Sequence, residues 1–76
     1  GETVNAITVP LEILIDRFDK NYLYVIKDNV AQERLVTLGL EVGRDVVVTS
    51  GVEDGEQVVV YGQANLKDGA KVSVVE

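Results

Sequence analysis

Two valine-rich runs on either side of a glycine-bounded loop constrain this chain more than any other feature. They cover residues 46–49 and 58–61, and the polar stretch 50–57 separates them. Valine is stiff at χ1 and packs well on a pleated surface, so each run predicts a strand, and each is too short for a helix. Since Gly51 and Gly55 can adopt the positive φ angles of a chain reversal, the sequence predicts a long-looped β-hairpin at the centre of the fold.

Four further segments have the composition of strands. They are residues 3–9, 22–27, 30–38 and 71–75. Pro10 ends the first of them, and residues 11–16 then predict one or two helical turns, because proline suits the first helical position. The polar middle of 30–38 (Gln32, Glu33 and Arg34) predicts a solvated or edge portion. The predicted fold is all-β, a small antiparallel roll or barrel of about six strands with one short helical turn after Pro10.

Turn chemistry supports this prediction at four places. Asp28 and Asn29 predict a two-residue turn, because both residue types tolerate left-handed conformations. Residues 40–43, 52–55 and 66–69 share a pattern in which an apolar residue is followed by a glycine three positions later, and each precedes a Val-x-Val strand. We expect each apolar residue (Leu40, Val52 and Leu66) to attach its turn to the core.

Size and composition exclude several classes of function. Residues 1–76 are predicted to form a single domain, and a domain this small is marginally stable, which suggests a module from a larger protein. The sequence has neither cysteine nor histidine, so disulfides, thiolate sites and imidazole sites are excluded. A net charge of −6 argues against nucleic acid or an anionic membrane as the main partner. No run approaches the length of a membrane span.

No motif predicts an enzyme, a cofactor or a metal. Ser50 lacks a base to activate it, and we expect it to bond local backbone. Glu12 and Asp16, and the acids of the 50–57 loop, are typical of solvated carboxylates, although a weak surface calcium site remains open. The glycines form no phosphate-binding loop. The residues therefore predict a non-catalytic binding or structural module.

The only phenylalanine lies in a charged segment, residues 17–21, predicted to be a loop. Two interpretations of Phe18 are open. In the favoured one, the ring folds back as a lid on the core. In the other, it is displayed as an anchor for a partner, since aromatic and arginine side chains dominate interface hot spots.

An ordered set of short segments gives the chain a family resemblance. The segments are Val9-Pro10-Leu11 with Leu14-Ile15, Asn21 to Val25, Lys27-Asp28, Val36 to Gly39, Thr49 to Val52, Gly55 to Val60, Gly62-Gln63 and Leu66 to Val72. In this order and spacing the chain resembles the C-terminal, membrane-proximal domain of periplasmic adaptor subunits, the HlyD-like membrane fusion proteins of RND-type tripartite efflux pumps.

The resemblance implies a β-roll that packs on the periplasmic face of an inner-membrane transporter and supports the efflux of drugs or other small molecules. It implies a periplasmic, inner-membrane-associated location in the full-length protein, contacts with other domains and protomers of the adaptor, and no direct membrane insertion by this domain. In that family the domain also draws a strand from near the N-terminus of the protein. We therefore expect an open edge to be covered by residues 1–9 or by strand exchange in a dimer.

Two loops are hypothesised to contact the transporter. The first contains Arg17, Phe18, Asp19 and Lys20, and the second contains Gly51, Glu53, Asp54 and Gly55. Two alternatives remain open: an ABC-type exporter as the partner, or a different function as a ligand- or glycan-binding β module of an extracellular protein. The last would need an aromatic cleft, for which Phe18, Tyr22, Tyr24 and Tyr61 are the available side chains.

Overall fold

The computed structural model describes residues 6–73, and within that range the chain is built of short and medium β-strands. The strands are β1 (Ile7–Pro10), β2 (Ile15–Arg17), β3 (Lys20–Lys27), β4 (Val30–Val42), β5 (Asp45–Ser50) and β6 (Gln57–Val58). Two 3-10 turns, Leu11–Ile13 and Gln63–Asn65, complete the elements. The six strands pair antiparallel, and a short helical turn follows Pro10, so the predicted fold class is confirmed.

The long strand β4 joins the two parts of the sheet. Its first part pairs with β3, from Lys27↔Val30 to Asn21↔Val36, and its second part pairs with β5, from Thr37↔Ser50 to Val42↔Asp45. The strand order is β1-β5-β4-β3-β2, with β6 also pairing with β3. Since β4 changes partner along its length, both parts of the sheet enclose one interior.

One apolar core fills that interior. Its buried members come from β1, the first 3-10 turn, β3, β4 and β5: Val9, Ile13, Leu23, Val25, Val36, Val46 and Val48. Ile13 lies in the turn after Pro10, and its side chain is buried in the core. The core therefore draws on nearly every element, and no single hairpin contains it.

The predicted central hairpin is wrong. Residues 46–49 lie in β5, but β5 pairs with β1 on one side and β4 on the other, so neither edge is left for the second valine run. Only Gln57 and Val58 form a strand, and they pair with Ile26 and Val25 of β3. Tyr61, at the end of the second run, is 93% exposed.

One local prediction needs correction and another is confirmed. The helical turn ends at Ile13, and Ile15 and Asp16 belong to β2, where they pair with Tyr22 and Asn21. The polar middle of β4 lies at a local edge, because residues 32–34 pair with β3 alone and β5 pairs with β4 only from Thr37 onward. Its charged side chains are held in ion pairs, described below.

A C-terminal arm, defined here as residues 66–73, lies along the start of β4. The N–H of Ala31 donates to Ala70 O (2.8 Å), and the N–H of Val72 donates to Asn29 O (2.9 Å). The predicted last strand appears only as a bridge between Val30 and Lys71, and its residues 74–75 lie outside the described range, as do residues 3–5 of the predicted first strand.

The apolar residues of the three repeated turns differ in burial. Val52 is half-buried and packs against the core, and Leu66 is half-buried in the arm. Leu40 is 74% exposed, so the prediction that it attaches its turn to the core is wrong. Leu40 lies where the register between β4 and β5 shifts, and such a bulge redirects side chains.

Candidate docking surface

The first predicted contact loop is a tight hairpin, which we call the finger (Arg17, Phe18, Asp19 and Lys20). Arg17 and Lys20 are paired strand residues, so only Phe18 and Asp19 form the connection. The prediction of a loop over residues 17–21 is therefore wrong at its two ends. Both turn residues have positive φ, 54° for Phe18 and 62° for Asp19, which is the backbone of the tight hairpin turns that match strand twist.

Phe18 projects from the apex of the finger into solvent. Its side chain is 87% exposed, so the favoured interpretation of a lid on the core is wrong. The Asp28–Asn29 turn has nearly the same φ angles, 53° and 61°, but uses residues that tolerate them. A phenylalanine in the left-handed region carries a steric cost of about 1–2 kcal/mol, which no burial of its ring offsets here. Such strain is typical of residues held for a function.

The base of the finger is fixed to β4. Arg17 Nη1 donates to Glu33 Oε1 at 2.8 Å, and the Arg17 guanidinium lies 5.2 Å from the centre of the Tyr22 ring. Tyr24 O–H is within hydrogen-bond distance of both Glu33 Oε2 (3.2 Å) and Leu66 O (2.9 Å). The finger, β4 and the arm are thus connected through Glu33.

The electrostatics of this cluster favour the ionised guanidinium and the neutral phenol. The hydrogen bond and the charge of Glu33 raise the pKa of Arg17. Burial raises the pKa of Tyr24, and the hydrogen bond to Glu33 raises it further. Arg17 therefore remains ionised, and its charge is matched by the Glu33 carboxylate that holds the guanidinium against the sheet.

In the second predicted contact loop, the first residue, Gly51, packs closely on β4. A β-carbon at Gly51 would overlap the carbonyl oxygen of Leu35 and lie 2.8 Å from Val36 Cγ1, and its φ of 103° favours glycine. Gly51 O accepts a hydrogen bond from Arg34 Nη1 at 3.2 Å. The position is therefore explained by close packing on β4.

The remainder of the loop is an acidic turn in which Glu53, Asp54 and Gly55 are exposed. The N–H of Glu53 donates to Glu56 Oε1 (2.8 Å), and Glu56 Oε2 pairs with Arg34 Nη2 (2.9 Å). The N–H of Glu53 and then the guanidinium of Arg34 lower the pKa of Glu56. The turn is thus anchored to β4 through Glu56, and Glu53 and Asp54 lie in its exposed part.

The two loops are attached to opposite faces of β4. Arg17 of the finger pairs with Glu33, whereas Glu56 of the acidic turn pairs with Arg34. Consecutive residues of a strand point to opposite faces, so these anchors do not combine the loops into one continuous surface. The finger face instead includes Leu35, an exposed residue opposite Tyr22 that the sequence prediction missed. The strand register, which the sequence alone does not give, would have identified it.

The aromatic residues do not assemble into a cleft. Tyr24 is buried, and Tyr61 lines an open, largely apolar groove of about 540 Å³ with residues such as Ile26 and Leu66. Phe18 lies at the tip of the finger, and of the four candidate side chains for a glycan platform only Tyr22 and Tyr24 share a strand face, on β3.

Ser50 and the acidic side chains, which the sequence analysis considered for catalysis and metal binding, have no reactive or metal-binding arrangement within residues 6–73. Ser50 Oγ lies 2.6 Å from Thr37 Oγ1, a hydroxyl contact where a bond to backbone was expected. Within residues 6–73, no three acidic side chains are grouped so that they could hold a metal ion. In the same range, no helix has the length and hydrophobicity needed to cross a membrane.

Comparison with known proteins identifies one family. The family model described as YknX, C-terminal permuted SH3-like domain, matches residues 6–74. The match therefore covers every strand of the fold, including the finger and the acidic turn. No curated protein matches the sequence at a significant level.

Proposed function

Since the chain belongs to the family of YknX C-terminal permuted SH3-like domains, a part of HlyD-like membrane fusion adaptors, we propose that it docks such an adaptor onto its transporter. In this proposal the domain lies in the periplasm as part of an inner-membrane-associated protein. It contacts the periplasmic face of an inner-membrane transporter, together with other domains and protomers of the adaptor, and so supports export of drugs or other small molecules.

The exposed Phe18 at the apex of the finger carries this proposal. Interface hot spots are enriched in aromatic and arginine side chains, and a binding residue that is already ordered loses little entropy on docking. Phe18 is an aromatic residue that is 87% exposed, and the backbone that carries it is held in place because Arg17 attaches the base of the finger to Glu33. Asp19 and Lys20 add one charge of each sign beside it. The acidic turn, with Gly51 as its packed base and Glu53, Asp54 and Gly55 exposed, is proposed as a second contact on the other face.

The transporter is proposed to be of the RND type, as the sequence resemblance implies, with an ABC-type exporter as the alternative partner. The same docking residues are proposed for either type of transporter. Cross-linking the adaptor to each type of transporter in separate cells distinguishes the two partners.

The test uses the adaptor that carries this domain, with Arg17→Glu and Lys20→Glu combined. Reversing both charges should reduce cross-linking to the transporter and restore drug susceptibility, with an affinity loss of about tenfold or more. Because Arg17→Glu also breaks the ion pair with Glu33, Phe18→Ala is tested in parallel, since it removes only an exposed ring. Lys67→Glu combined with Lys71→Glu is the matched control on the exposed side of the arm. Normal assembly and efflux in both finger variants would remove the finger from the interface.

A further inference from the structure

The hydroxyl group of Tyr24 is shared by two acceptors that belong to different parts of the fold. It lies 3.2 Å from Glu33 Oε2 and 2.9 Å from Leu66 O. A phenol has one hydrogen to donate, whereas an ionised carboxylate and a main-chain carbonyl can only accept. Since Tyr24 is 2% exposed, its hydroxyl has little access to water, so a stronger bond to one acceptor weakens the bond to the other.

Glu33 holds the finger and the arm at the same time. Its carboxylate pairs with Arg17 Nη1 at 2.8 Å, and its main-chain N–H donates to Asp68 Oδ1 of the arm at 3.0 Å. Two residues earlier on β4, both main-chain groups of Ala31 are bonded to the arm at 2.8 Å. The arm therefore lies against the same short part of β4 that anchors the finger.

The arm strengthens the ion pair at the base of the finger in two ways. With the arm in place, Leu66 O is the nearer acceptor for the Tyr24 hydroxyl, which leaves the Glu33 carboxylate to Arg17. Leu66 and Asp68 also lie beside Glu33, whose side chain is only 18% exposed, and an ion pair shielded from water is screened less than an exposed one. Removal of the arm would turn the hydroxyl towards Glu33 and admit water to the pair, and both changes would loosen Arg17.

We infer that the C-terminal arm controls the order of the finger, with Tyr24 and Glu33 as the positioning residues that link the two. While the arm lies on β4, Arg17 is held and Phe18 is presented on a fixed base. Once the arm is displaced, the finger loosens and docking weakens. The link between arm and finger concerns this chain alone, whereas its effect on docking rests on the proposed function. Because coupled binding is reciprocal, docking at the finger would in turn hold the arm on β4.

Amide hydrogen exchange of the adaptor tests the link in the absence of any transporter. Val72→Pro weakens the arm at its far end, because it removes the N–H that donates to Asn29 O at 2.9 Å. The amides that pair β2 with β3 should then exchange about fivefold faster, while those of β1 and β5 keep their rates, since the opening is local. Ser73→Pro is the matched control, because within residues 6–73 this position forms no main-chain bond to β4, and the finger should keep its exchange rate.

Tyr24→Phe tests whether the hydroxyl carries the link. The substitution removes one oxygen atom and keeps the buried ring, so the fold should be retained. With Tyr24→Phe present, the addition of Val72→Pro should change exchange in the finger by less than about twofold. Tyr22→Phe is the matched control on the same face of β3, and there the fivefold response should persist. Should the Tyr24 variant fail to fold, the comparison of Val72→Pro with Ser73→Pro still decides.

Binding of the full adaptor to its transporter measures the consequence for docking. Val72→Pro should lower the affinity by about fivefold, because a loosened finger must be ordered again on docking, and Ser73→Pro should leave the affinity unchanged. In a Phe18→Ala adaptor, which has already lost the ring, the addition of Val72→Pro should have no further effect.

The possible results separate the inference from the proposed function. Equal exchange of the finger in Val72→Pro and Ser73→Pro would overturn the control by the arm, and a response that Tyr24→Phe leaves unchanged would overturn the role of the hydroxyl. If Phe18→Ala weakens binding and Val72→Pro does not, the docking function stands and the arm does not control it. If none of these variants changes binding, docking through the finger fails, while faster exchange in Val72→Pro would still establish the link between arm and finger.

Discussion

At the scale of single residues, Phe18 combines a strained left-handed backbone with a side chain that is almost fully exposed. Its φ of 54° is almost the same as that of Asp28 (53°), yet only Asp28 has a side chain that suits the position. A residue chosen for stability alone would be asparagine or glycine, which are the preferred residues in this kind of turn. The sequence placed Phe18 in a charged connection, but it could not show its exposure, because that depends on the two-residue length of the turn.

Phe18→Asn should therefore increase stability and weaken docking at the same time. Relief of the left-handed strain should raise the free energy of unfolding by about 1 kcal/mol, measured by urea denaturation of the 76-residue chain. Transporter affinity of the full adaptor should decrease in parallel. Phe18→Ala is the matched control, since it removes the ring but keeps the β-carbon strain, so it should weaken docking without a comparable gain in stability. A loss of stability in Phe18→Asn would contradict the strain argument.

At the scale of elements, the sequence predicts correctly those strands and turns whose conformation is determined by residues close together in the chain. The Asp28–Asn29 turn, strand β3 and the short turn after Pro10 all follow from residue types within a few positions. The hairpin between the two valine runs does not follow in this way. Valines on both faces of a segment favour a strand, but they do not determine which other strand it pairs with. In the structure β5 pairs with β1 on one edge and with β4 on the other, so no edge is left for the second valine run.

The acidic turn between β5 and β6 gives a prediction about pH. The N–H of Glu53 and the guanidinium of Arg34 lower the pKa of Glu56, so the ionised carboxylate stabilises the fold. This contribution is present above the unfolded-state pKa of about 4.3 and is lost as the pH falls through the lower folded-state pKa. Glu56→Gln should be less stable than the original chain at neutral pH, and the difference should shrink towards about pH 3.

Urea denaturation across this pH range measures the effect of Glu56. Glu53→Gln is the control, because Glu53 contributes its backbone N–H to the turn and its side chain is exposed. It should retain the acid-dependent loss of stability of the original chain. An equal loss on acidification in Glu56→Gln would show that other carboxylates cause it.

At the scale of the whole molecule, β4 makes the two parts of the sheet depend on each other. Its first part pairs with β3 and its second with β5, and both parts contribute to the same buried cluster. The sequence predicted an all-β domain of about the right number of strands, and it located the finger and the acidic turn. It could not predict that Glu33 and Arg34 would anchor these loops on opposite faces, because those ion pairs join residues 16 and 22 positions apart.

Because the core is shared, a cavity on one side of β4 should weaken both parts equally. Val46 of β5 is almost fully buried, and Val46→Ala removes two methyl groups, so the free energy of unfolding should fall by about 2 kcal/mol. Tyrosine fluorescence reports mainly on β3 through Tyr22 and Tyr24, whereas far-UV circular dichroism reports on all strands. The urea midpoints from both probes should coincide and decrease together, as expected for a two-state domain.

Val60→Ala, at an exposed position, should leave both midpoints nearly unchanged. If Val46→Ala lowered only the circular dichroism midpoint, the β1–β5 part would unfold independently, and β4 would not couple the finger to the rest of the fold.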